Sequence, residues 1–102
     1  VKEFPFGPEV VVFKVGGKMF ALVAWEEDPL KITLKSPPEE AEFLRSTYAA
    51  VSPGYHMNKR HWNTVTLDGS LPQAVLEEMI ETSYSLVVGS LPRKVRQALP
   101  GQ

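Results

Sequence analysis

Both histidines of the chain, two adjacent cations and two aromatic rings fall within one short segment, Pro53-Gly54-Tyr55-His56-Met57-Asn58-Lys59-Arg60-His61-Trp62. Lysine and arginine neutralise phosphates, an aromatic face stacks on a base or sugar, and an asparagine amide offers a donor and an acceptor to a base edge. The set suits nucleic acid. Lys59 and Arg60 are the expected phosphate contacts, Trp62 or Tyr55 the stacking platform, and His56, Asn58 and His61 complete the surface. Lys14 and Lys18, on either side of Gly16-Gly17, are secondary candidates. On a regular strand His56, Asn58, Arg60 and Trp62 share one face and Tyr55, Met57, Lys59 and His61 the other, and a bend at Lys59-Arg60 changes that assignment. Two other readings use the same residues. Trp62 and Tyr55 can be core rings beside a solvated, charged turn, or the Tyr-Met-Trp surface with Arg60 at its centre can anchor a protein partner.

Other chemistries are less well supplied. His56 and His61 are an odd number of residues apart, so on a strand they face opposite ways and cannot share a metal. Glu26-Glu27-Asp28 with Glu39, Glu40 and Glu42 form an acidic set that could attract hard cations. The same carboxylates serve equally as a solvated loop and as favourable charges at a helix N-terminus. Ser83 and Tyr84 have no Gly-x-Ser-x-Gly around them and no His-Asp pair to activate them, so helix packing with a hydroxyl tip near the surface is expected. Gly16-Gly17 is a turn with no phosphate-loop signature behind it. No catalytic residue, metal site or cofactor is therefore expected, and binding rather than catalysis is the anticipated role.

The elements that must position these residues can be read in order. Val10 to Val15 is a β-branched run, it ends at Gly16-Gly17, and Lys18 to Trp25 resumes it, which predicts a hairpin. Leu30, Ile32 and Leu34 alternate with Lys31, Thr33 and Lys35, a third strand completing an antiparallel meander. Ser36-Pro37-Pro38-Glu39 reads as a capping box opening a helix whose Ala41, Leu44, Tyr48 and Val51 recur at helical spacing with Phe43 beside them, up to Ser52-Pro53-Gly54. Strand character is expected from Tyr55 to Leu67, before a turn at Asp68-Gly69. Ser70-Leu71-Pro72-Gln73 repeats the capping pattern. Val75, Leu76, Met79, Ile80 and Val87 then form a stripe opposite Glu77, Glu78 and Glu81, with Gly89 as a left-handed cap. Ser90-Leu91-Pro92 opens a short basic helix carrying Arg93, Lys94 and Arg96. Strands followed by helices, without repeat or linker, predict one α+β domain over residues 1–102.

Composition sets limits on the role. With 102 residues, 43% hydrophobic and 23% charged, the chain is an ordinary globular domain with one core. The absence of cysteine removes disulfides, zinc-thiolate sites and thiol nucleophiles, and it fits a reducing, cytoplasmic setting. No apolar run approaches the roughly 18 residues of a membrane span, and Val1-Lys2-Glu3-Phe4 has no signal-peptide character. A net charge of −1 excludes whole-surface attraction to nucleic acid, so any such binding must come from a local patch and be of low affinity.

Phe4-Pro5-Phe6-Gly7, the hairpin Val15-Gly16-Gly17-Lys18-Met19-Phe20-Ala21, the block from Pro53 to Trp62, and Ser83-Tyr84-Ser85-Leu86-Val87 together resemble the MmcQ/YjbR family over nearly the whole chain. The resemblance implies a CyaY-like two-layer α+β sandwich, similar to frataxin, with a curved antiparallel sheet packed by helices. That sheet has been likened to a double-wing DNA-binding arrangement, and DNA is accordingly the implied partner. A frataxin-like cation surface and a protein-interaction module are the alternatives. Family members usually carry a helix before the Phe-Pro-Phe-Gly segment. The expectation here is that this helix is missing, leaving an apolar face uncovered and homo-oligomers possible.

Overall fold

Gly16 and Gly17 take φ angles of 57° and 82°, the left-handed backbone that a two-residue hairpin turn demands. The turn joins strand Val10–Val15 to strand Lys18–Ala24, and the computed structural model, which describes residues 2–3, 10–54 and 57–99, builds the rest of the sheet around this hairpin. In chain order the strands are β1 (Lys2–Glu3), β2 (Val10–Val15), β3 (Lys18–Ala24), β4 (Lys31–Lys35), β5 (Val51–Pro53) and β6 (Trp62–Thr66). The helices are α1 (Pro38–Thr47), between β4 and β5, then α2 (Gln73–Gly89) and α3 (Arg93–Gln97). All pairings are antiparallel, in the order β1-β2-β3-β4-β6-β5. The architecture is α+β, as expected, with a sheet two strands wider than the meander and one further strand, β1, that the pattern did not announce.

Register divides the sheet into two faces. Phe13 pairs with Ala21, Ala21 with Leu34, and Ile32 with Val65, which in turn pairs with Val51. These residues form a core with Leu44 of α1 and Met79 of α2, flanked by Val75, Leu76 and Ile80. A second cluster joins Val15 to Val87 and Val88. Phe20 meets Tyr84 edge-on there, at 5.2 Å between ring centroids. The apolar stripe of α2 thus lies where its spacing placed it.

The entries to α1 and α2 differ from the sequence reading, and for a reason that α3, which opens at Pro92 as expected, also shows. The residues preceding α1, α2 and α3 are Pro37, Pro72 and Pro92, each with φ near −57° and no side-chain cap. Proline's fixed φ suits the entry to a helix, and its presence leaves the serines two or one residues upstream free for other bonds. Ser36 is buried and donates its N–H to the His61 carbonyl at 2.8 Å. Ser70 donates both its hydroxyl (2.6 Å) and its N–H (2.9 Å) to the Asp68 carboxylate, which these bonds hold below the usual carboxylate pKa. Two further corrections follow. Helix α1 ends at Thr47, so Val51 belongs to β5 rather than to the helix. Gly89 is the last helical residue rather than a left-handed cap, and Ser90 follows it with φ −87°.

Ser83 departs furthest from expectation. It is fully buried rather than near the surface. Its hydroxyl donates to the Phe20 carbonyl at 2.6 Å and accepts the Lys35 N–H at 2.9 Å. The β3–β4 ladder runs only from Ala21↔Leu34 to Ala24↔Lys31. One helix hydroxyl therefore bridges the two strands where their own pairing stops, beside the irregularity in the β2–β3 register between Phe13 and Lys14.

Candidate nucleic-acid interface

Gly54 and residues 57–61 lie between β5 and β6 and are not strand, so the alternating-face assignment does not apply to Asn58 and Arg60. Their positions are set by a compact turn. The Asn58 carbonyl accepts the N–H groups of His61 (3.1 Å) and Trp62 (3.0 Å). Its side-chain Oδ1 accepts the Arg60 N–H at 3.0 Å, an Asx turn. Asn58 therefore shapes the backbone, and its amide oxygen is engaged there rather than presented to a base. Lys59 and Arg60 occupy the tip of the turn, both exposed and adjacent.

Distant elements pin this turn. Arg45, in the last turn of α1, donates from Nη1 to the Lys59 carbonyl at 2.8 Å. Ser36 holds the His61 carbonyl, and Gly54 donates its N–H to the Trp62 carbonyl at 2.8 Å. Trp62 opens β6 opposite Lys35, whose Nζ lies 6.0 Å from the ring centroid, and the ring is half-buried. Neither a pure core ring nor a free platform, it offers one edge of an aromatic surface beside a cation. Arg45 and Lys35 were not anticipated. Arg45 gave no signal in the sequence, whereas Lys35 stood in the expected alternation of its strand. Tyr55 and His56 lie outside the described residues.

The secondary candidates lie at the same end of the sheet, because β2, β4 and β5 all run toward it. Lys18 is exposed at the hairpin turn, its Nζ 3.4 Å from the Ser90 hydroxyl and 3.5 Å from the Ser90 carbonyl. Lys14 is half-buried at the register shift in β2 and makes interactions of its own. The two sets are separated across the width of β3, β4 and β6, roughly 15 Å at the usual strand spacing. They do not form one cluster.

The sequence profile of the YjbR family matches residues 1–86 of the chain. The chain belongs to the YjbR family. Among relatives, it is 41% identical to YbdF of Escherichia coli O157:H7 over 91 residues, covering 89% of this chain and 75% of the relative. It is 42% identical to YjbR of Escherichia coli K12 over 86 residues, covering 84% and 73% respectively. A crystal structure of the Deinococcus radiodurans protein DR2400 superposes with a TM-score of 0.90 at 41% identity, over 99% of this chain and 82% of that one.

In this YjbR-family chain the two acidic sets fall at opposite ends of β4. Glu26, Glu27 and Asp28 are exposed before it, with Glu27 paired to Lys31 at 3.5 Å, whereas Glu39, Glu40 and Glu42 are exposed on α1 after it. Five strand residues span about 17 Å, too far for both sets to share one cation. Among the described residues no three histidine or carboxylate side chains converge. Millimolar calcium or magnesium is expected to leave the melting temperature unchanged, because a ligand stabilises only by its occupancy of the native state. A rise of several degrees that disappears in Glu26→Gln with Glu27→Gln would establish a cation site. Among the described residues no helix is long and apolar enough to cross a membrane.

Proposed function

We propose that this domain is a non-catalytic binding module that engages nucleic-acid phosphates, DNA in the first instance, through the turn at Lys59 and Arg60. The observation that carries the reading is the pairing of two exposed, adjacent cations with a backbone fixed from four directions, by Asn58, Arg45, Ser36 and Gly54. A fixed turn presents its charges without a large ordering cost on binding. Trp62 and Lys35 extend the same surface toward the sheet. Contact with phosphates alone carries no base preference, and with a net charge of −1 the affinity is expected near 10 µM, about the middle of the non-specific range.

The test is a titration of Lys59→Ala/Arg60→Ala against the parent protein, using labelled single- and double-stranded DNA over a salt series. Affinity should fall about tenfold across unrelated sequences, and the slope of log K against log salt should shrink by roughly 1.8, two phosphate contacts' worth on duplex DNA. The melting curve should not move, since both side chains are exposed. Absence of binding by the parent protein at low salt would remove the reading. A protein partner would then take its place, favoured by Phe43, which is 61% exposed on the helix whose Arg45 holds the turn.

A further inference from the structure

The sheet face opposite α1 and α2 holds a groove of about 880 Å³ that adjoins the Lys59-Arg60 turn through Met57 but is lined by neither of those cations. Its floor is apolar: Val10, Leu22 and Ala24 from β2 and β3, with Pro53 and Met57 on the β5 side. An antiparallel sheet normally turns polar side chains to its solvent face. Thr33 and Thr64, in the middle of that floor, are only 4% and 7% exposed although no described helix covers them. Their hydroxyls lie 2.9 Å apart and either can be the donor. One proton serves that bond, so the accepting hydroxyl keeps a proton of its own to give to a further oxygen. A buried pair with one spare donor, set in an apolar floor, is the polar anchor of a small-molecule site.

Register places charged or aromatic side chains at both ends of this face. The next pair on the same face beyond Thr33↔Thr64 is Lys35↔Trp62, and at the other end Lys31 stands beside Glu27. The volume lies within the roughly 300–1,000 Å³ of small-molecule pockets. Lys31 and Lys35 of β4 share this face, and the Lys31–Glu27 pair is about half-exposed on both sides, 42% and 53%, so it can exchange partners.

We propose that this groove binds a small amphipathic organic anion, an aryl or medium-chain alkyl carboxylate or sulfonate. Its apolar body lies on Leu22 and Ala24, one oxygen takes the spare threonine proton, and its charge displaces Glu27 from Lys31. The proposal requires neither Lys59 nor Arg60, which line no part of the groove.

The experiment uses 8-anilinonaphthalene-1-sulfonate as the fluorescent probe and decanoate and decanol as competitors, with melting curves for every variant. A single saturable class with one site per chain is expected, displaced by decanoate at least tenfold more effectively than by decanol. Ala24→Phe should fill the floor and abolish it, and Lys31→Glu should weaken it about tenfold, whereas Lys59→Ala/Arg60→Ala should bind as the parent does. Should Ala24→Phe fail to fold, Ser52→Glu, at an exposed position on the rim, carries the same test by adding a repelling charge. Non-saturable binding by the folded parent overturns the proposal. So does a site indifferent to both groove variants, or one lost only with Lys59 and Arg60.

Discussion

Replacing Ser83 with alanine is expected to lower stability by about 2–6 kcal/mol, because two backbone groups lose their partner at once and each unmade buried bond costs about 1–3 kcal/mol. The Phe20 carbonyl and the Lys35 N–H have the Ser83 hydroxyl between them. With a methyl in its place neither strand can reach across, and water has no easy route, since Ser83 is fully buried. For a domain of this length the loss should appear as a fall in Tm of more than about 8 °C. Ser85, exposed two residues along the same helix, is the internal comparison. Its alanine variant should stay within about 0.5 kcal/mol of the parent, as surface substitutions do. Equal melting of the Ser83→Ala and Ser85→Ala proteins would show that the strands re-pair without the hydroxyl.

Gly54→Ala is the second large effect, about 1–3 kcal/mol by the usual cost of overpacking. A Cβ at this position would stand 2.8 Å from the Trp62 Cβ, 3.0 Å from its carbonyl oxygen and 3.1 Å from its carbonyl carbon. These atoms belong to backbone and side-chain stem and cannot rotate aside, so the Gly54–Trp62 hydrogen bond must lengthen. Gly17 provides the contrast, with φ at 82° and nothing within 4 Å of a Cβ, so alanine there strains only its own backbone. The two cases separate by readout. Gly54→Ala should shift the Trp62 indole N–H resonance and weaken DNA binding through the displaced turn, whereas Gly17→Ala should leave that resonance in place. An unshifted Trp62 signal in a Gly54→Ala protein of parental stability would refute the close-packing account.

The contrast between these residues explains how far the sequence could be read. The hairpin, the β4 alternation and the α2 stripe are local patterns, fixed by neighbours a few positions away, and they lie where the spacing put them. The segment from Gly54 to His61 was recognisable as a chemical cluster, yet the turn at its residues 58–61 is held by Ser36 and Arg45, which reach it from other elements. No periodicity within the segment could reveal that. Ser83 was likewise visible as part of a motif, while its purpose depends on Phe20, 63 residues earlier. The prolines at the entries to α1 and α2 misled in a simpler way. A Ser-x-Pro sequence satisfies a capping pattern by residue type, but the proline itself takes the boundary position and the serine bonds elsewhere.

The Ser83 bridge also makes one amide a sensor of tertiary structure. Most strand amides are protected from solvent hydrogen exchange by a neighbouring strand, so they open only when the sheet does. The Lys35 amide is protected by a side chain of α2 instead. Any excursion that lifts α2 from an intact sheet exposes this proton while the Ile32 and Leu34 amides on the same strand stay slow. The difference between those rates in a native-state exchange experiment measures the free energy of helix docking by itself, apart from global unfolding.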